Sequence, residues 1–129
     1  MSKILWNEQF KIRMSQALKS RDKHEVAKLL LVRMLIRKHK SEKQYIRIYT
    51  EFEISEGIIT DVYFENYKNK EKISYELQEN MSKNIIEKKI EKYKSWTDPF
   101  CTTDLIIVPL KELPEDIEGI KNKLKEYIV

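Results

Sequence analysis

The chain has 129 residues, 36% of them charged, with 25 Lys+Arg against 21 Asp+Glu and a net charge of only +4. That is one domain's length with room for a core, and a balance that excludes both a disordered tail and a generally basic polyanion binder. A single cysteine, Cys101, excludes an intrachain disulfide and a cysteine-rich zinc site, and points to a reducing, intracellular, cytoplasmic setting. No run approaches the roughly 20 apolar residues of a membrane span, and residues 1–16 carry too many interrupting charges for a secretory segment.

Residues 1–56 contain neither glycine nor proline, which favours long regular elements. Ile4, Leu5, Phe10, Met14, Ala17 and Leu18 fall at loosely helical spacings and predict a helix over 4–19. Asp22 can cap a second helix running to about Lys40, with Val26, Leu29, Leu30, Arg33, Leu35 and Ile36 as its inward face. The part up to residue 40 therefore reads as helical. From Tyr45 the period becomes two, as Ile46, Ile48, Phe52 and Ile54 alternate with polar neighbours. Ser55-Glu56-Gly57 turns the chain into a strand from Ile58 to Asn66, and Tyr67 to Lys70 turns it again into a strand from Glu71 to Gln78.

Ser82 can cap a helix from Lys83 to about Trp96, with Ile85, Ile86, Ile90 and Tyr93 inward and Lys83, Lys88, Lys89, Lys92 and Lys94 toward solvent. The run from Asp104 to Leu110 reads as a strand covered on both faces, parallel to its predecessor after a right-handed crossover. Pro114 opens a last helix, about residues 115–128. The expectation is a single α/β domain spanning 1–129: a helical part over 1–40, a mixed sheet with its crossover helix over 45–110, and the terminal helix.

Asp61 lies in the second strand (IITDVYFEN) and Glu76 in the third (KISYELQ). Alternation puts Glu76 and Gln78 on one side and Tyr75 and Leu77 on the other. If the two runs pair as a hairpin, Asp61 and Glu76 converge, and hard oxygen ligands of this kind suit Mg²⁺ or Mn²⁺. The competing explanation is a solvated sheet face or a set of ion pairs. Glu25 can equally pair with Lys28 three residues on. Glu51, Glu53 and Glu65 are further carboxylates that solvent-facing strand positions would explain, and the lysines after residue 83 alternate with Glu87 and Glu91 as on any solvated helix. His24 and His39 build neither a triad nor a zinc site by spacing.

This order of elements, with Glu25 before the sheet, Asp61 in the second strand and Glu76-Leu77-Gln78 in the third, resembles the PD-(D/E)XK nuclease superfamily. The likeness is nearest to small archaeal Holliday-junction resolvases and to small nuclease-like proteins of archaea and their viruses. The resemblance implies a restriction-endonuclease-like fold and a Mg²⁺-dependent endonuclease hydrolysing phosphodiester bonds in DNA. It implies metal ligation by Asp61, Glu76, the backbone carbonyl of Leu77, and Glu25. Thr60 stands where the family's name has proline, and Gln78 where it has lysine; an amide orients by hydrogen bonds but supplies no fixed charge. Some members resembling this chain carry glutamine there, and others place the lysine on the following helix, where Lys83 is the nearest candidate. Two sites for two strands would imply a homodimer. The alternative implied by the missing lysine is a catalytically degenerate module that binds DNA or a protein.

Overall fold

A five-stranded mixed sheet, with its strands side by side in chain order, is the frame of this computed structural model, which describes residues 9–15 and 22–128. β1 (Phe10–Lys11) runs parallel to β2 (Ile46–Ser55). β2, β3 (Ile58–Asn66) and β4 (Glu71–Gln78) form an antiparallel meander, and β5 (Thr102–Pro109) returns parallel to β4. Gly57, at φ +76°, supplies the left-handed backbone that the tight β2–β3 turn needs. The helices are α1 (Asp22–Lys38), α2 (Lys83–Tyr93), which carries the β4-to-β5 crossover, and α3 (Ile117–Leu124). Short 3₁₀ turns, Lys40–Tyr45 and Leu110–Glu112, follow α1 and β5.

One sheet face carries the core. Ile46, Ile48, Val62, Phe64, Ile73, Tyr75 and Leu77 meet Ala27, Leu31, Val32 and Leu35 of α1 and Ile120 and Leu124 of α3. The other face lies under α2, where Tyr93 reaches Ser74 and Glu76, and Trp96 sets its edge against the rings of Tyr63 and Tyr93. Sheet residues alternate between these two coverings, so β3 and β4 are buried for most of their length.

Three expectations are corrected. The described part of the 4–19 segment is extended: Phe10 and Lys11 pair with Ile48 and Tyr49, and residues 12–15 continue without helix. The rest of that segment lies outside the described residues. Phe10, Ile12 and Met14 alternate with Lys11, Arg13 and Ser15, which is a period of two inside a window that also satisfies loose helical spacing. The buried stripe of α1 is also rotated from the expected one. His24, Ala27, Lys28, Leu31, Val32 and Leu35 point inward, while Val26 and Leu29 are exposed. The structure obeys the i, i+3/i+4 rule but admits two polar residues, and it leaves two apolar ones outside. On α2, finally, Ile90 is exposed, whereas Lys89 turns toward the sheet.

Candidate functional site

The β3–β4 ladder is regular from Asn66–Glu71 up to Val62–Tyr75, and its pairing ends one residue short of Asp61 and Glu76. The same register sets these two acids opposite one another. On the other flank of β3, Glu51 falls opposite Asp61, between the Thr50–Val62 and Phe52–Thr60 pairs. Glu51 has φ +48°, a conformation that costs a non-glycine residue energy and that falls inside β2 at the level of Asp61.

Each acid is held by its own helix. The Leu77 N–H donates to Asp61 Oδ2 at 2.7 Å, and Asp61 Oδ1 lies 3.3 Å from Nε2 of His24 on α1. His24 is buried, and its Nδ1 lies 2.8 Å from Glu25 Oε2. Glu25 Oε1 accepts from the Ser15 N–H at 2.7 Å and from Lys28 at 2.9 Å. Lys28 is itself buried and also lies 3.5 Å from Glu51. On the α2 side the Tyr93 hydroxyl donates to Glu76 Oε1 at 2.6 Å, and Lys89 donates to Oε2 at 3.2 Å. Lys89 and Tyr93 are four residues apart and so share one helical face. Ser74 joins Tyr93 to Thr60, whose hydroxyl also donates to the Tyr75 carbonyl at 3.2 Å.

The electrostatics separate the two central acids. Burial pushes Asp61 up, but hydrogen bonding and charge from His24, with help from the Leu77 N–H and Glu76, bring it below the ordinary aspartate value. Burial and then the charge of Asp61 push Glu76 up to about 7, against the pull of Tyr93 and Lys89. Two close carboxyls in one partly dry site cannot both ionise freely, so one stays charged and the other holds its proton. Glu25 is held at about 2, because Lys28, the Ser15 N–H and His24 together outweigh its burial. Glu51 is raised, chiefly by burial and also by Asp61, with Lys28 opposing.

The expected site residues therefore separate by location. Asp61 and Glu76 are brought together, and Glu25 reaches Asp61 only through His24. Gln78 is half-buried at the end of β4 beside Pro109. Lys83 is exposed and lies 3.9 Å from Glu87; the lysine on Glu76 is Lys89, six residues further along α2. Sequence reasoning missed His24, Lys89 and Tyr93. Their only signals were the adjacency of His24 to Glu25 and the i, i+4 spacing of Lys89 to Tyr93.

As a donor set, the pair suits a divalent ion of the kind that keeps most of its water and takes one or two carboxylates. Glu76 is raised to about 7 by burial and then by the charge of Asp61, and a cation would offset both. The set forms no closed cage: all four oxygens of Asp61 and Glu76 have protein partners. Among the described residues no three His, Cys, Asp or Glu side chains are grouped to hold a metal ion. Also among the described residues, no helix is long and apolar enough to cross a membrane. Comparison with protein-family models, with curated proteins and with solved structures returned no match to this chain.

Proposed function

We propose that the protein is a metal-dependent DNA endonuclease of restriction-endonuclease-like architecture, with Asp61 and Glu76 as its central acids. The observation that carries this reading is their juxtaposition at the interrupted end of the β3–β4 ladder, close enough for Asp61 to help raise Glu76 to about 7. Asp61 and Glu76 would hold Mg²⁺ or Mn²⁺, which when bound makes a water nucleophilic near neutral pH and offsets phosphate charge. His24 and the Leu77 N–H hold Asp61 in its ionised form. Tyr93 orients Glu76, and Lys89 contributes the fixed positive charge that Gln78 lacks. Glu25 acts as the outer partner of His24. The reading includes a homodimer with one centre per strand, which sedimentation equilibrium tests directly.

The experiment is cleavage of labelled linear duplex, single-stranded and four-way-junction DNA with Mg²⁺, Mn²⁺ or EDTA. Wild type is compared with Asp61→Ala and Glu76→Ala after circular dichroism confirms that both fold. Cleavage that needs the metal and both acids is the expected result; normal cutting by either variant overturns the assignment. A second reading, a nuclease-like module that binds without cutting, is favoured by the protein partners on all four carboxylate oxygens. It expects salt-sensitive DNA binding that is indifferent to EDTA, with no cleavage.

A further inference from the structure

A cleft of about 390 Å³ opens beside Glu51, lined by Lys11 and Arg13 from the segment before α1 and by Glu51 and Glu53 from β2. The strap from Phe10 to Ser15 that carries the two cations is fastened at several points. The Arg13 N–H donates to the Thr50 hydroxyl at 2.5 Å, and the Arg13 carbonyl accepts from Thr50 and from Lys28, each at 2.9 Å. The Ser15 N–H is tied to Glu25, and Lys11 lies 5.8 Å from the centre of the Tyr49 ring. Thr50 and Lys28 are both buried, so the fold places two buried polar groups under an otherwise exposed peptide. These bonds engage the backbone of Arg13 and leave its guanidinium without an ion-pair partner among the described residues.

We infer that Lys11 and Arg13 form a phosphate-holding wall that lays a nucleic-acid strand along this cleft toward Asp61. The inference rests on the reading of Asp61 and Glu76 as a phosphodiester-directed centre and adds the side from which the strand is held. Extended chain sets Lys11 and Arg13 about 7 Å apart on one side of the strap, a spacing that can meet successive anions of a backbone. A guanidinium presents a planar fork of donors that matches phosphate with two parallel bonds, and the pinned main chain fixes where that side chain starts. Glu51 and Glu53 of β2 repel the same phosphates, which favours a strand held on the Lys11 and Arg13 side. Glu51 joins the cleft to the centre, because it stands opposite Asp61 and shares Lys28 with Glu25.

The test is fluorescence anisotropy with a labelled single-stranded and a labelled duplex oligonucleotide in EDTA, across a salt series. It compares wild type, Arg13→Ala, Arg13→Lys and, as a charge control away from the cleft, Lys111→Ala. The fastening bonds are main-chain, so each variant keeps the strap, and a thermal melt verifies it. Arg13→Ala is expected to weaken binding about tenfold and to lower the salt slope by about one. Arg13→Lys should restore part of the loss, and Lys111→Ala should bind as wild type does. Wild-type affinity in Arg13→Ala, an equal loss in Lys111→Ala, or no binding by wild type at low salt would each overturn the inference. Weakened binding in Arg13→Ala by a protein that cuts nothing keeps the wall and removes the nuclease. Metal-dependent cutting with unchanged Arg13→Ala binding does the reverse.

Discussion

The two ends of the β3–β4 hairpin follow opposite rules. Near the turn, Phe64 pairs with Ile73 in the core, and Asn66 closes the bend by accepting from the Lys68 and Asn69 N–H groups. At the far end the backbone pairing stops and side chains take over: Asp61 accepts a main-chain N–H, Thr60 donates to a main-chain carbonyl, and Tyr93 and Lys89 satisfy Glu76. The apolar end fixes the register, and the register delivers two acids to one place that neither would choose alone. Stability is concentrated at one end and electrostatic tension at the other.

The largest effect should come from the apolar end. Phe64→Ala should lose about 3–5 kcal/mol in urea denaturation, with the same loss at pH 5 and pH 8, because the cost is a cavity. Glu76→Gln should behave in the opposite way. An acid raised from 4.5 to about 7 favours the folded state while it is protonated, so the wild type loses stability as pH climbs through that window. Asp61, lowered from 3.8, contributes stability above that value and loses it only in stronger acid, so it is silent between pH 5 and 8. The glutamine variant should therefore gain on wild type by on the order of 3 kcal/mol between pH 5 and 8 in EDTA. A difference that does not change with pH would erase the contrast between the two ends.

Smaller substitutions sharpen it. Lys89→Met removes both a charge and a hydrogen bond that stabilise ionised Glu76. The Glu76 carboxyl, followed by carbon-detected NMR, should titrate above its wild-type value, and stability at pH 8 should fall by about 1 kcal/mol. Thr60→Val keeps the shape while cutting the links to Ser74 and to the Tyr75 carbonyl, and should cost about 1 kcal/mol at either pH. A loss as large as that of Phe64→Ala would mean that the polar end, too, carries the fold.

Much of the frame was legible in the chain because alternation and turn residues are local signals. Ile58–Asn66 and Glu71–Gln78 are bounded by Glu56-Gly57 and by Tyr67 to Lys70, and the parallel return of β5 follows from the length of its crossover. β1 was hidden because two paired residues make too short a period to outvote a helical window. The site was legible as far as Asp61 and Glu76, whose opposition follows from hairpin register. Its supporting side chains were not, since residues 83–94 include five lysines and only the packing of Tyr93 selects Lys89. His24 was equally hidden, because what turns it inward is the rotation of α1 on the sheet, a tertiary fact absent from its neighbours.

The sequential order of the strands also bears on how the protein comes to be folded. From β2 onward every strand pairs with its successor, so those contacts close short loops or a single crossover and can form early. β1 is the exception, reaching β2 across the whole of α1 through two residue pairs. It should be the last strand to dock and the first to open, which hydrogen exchange would register as weak protection of residues 10–13 beside strong protection of the meander. A strand that arrives last, with Arg13 two residues beyond it, would let the sheet and its acids mature before the cationic strap beside them is in place.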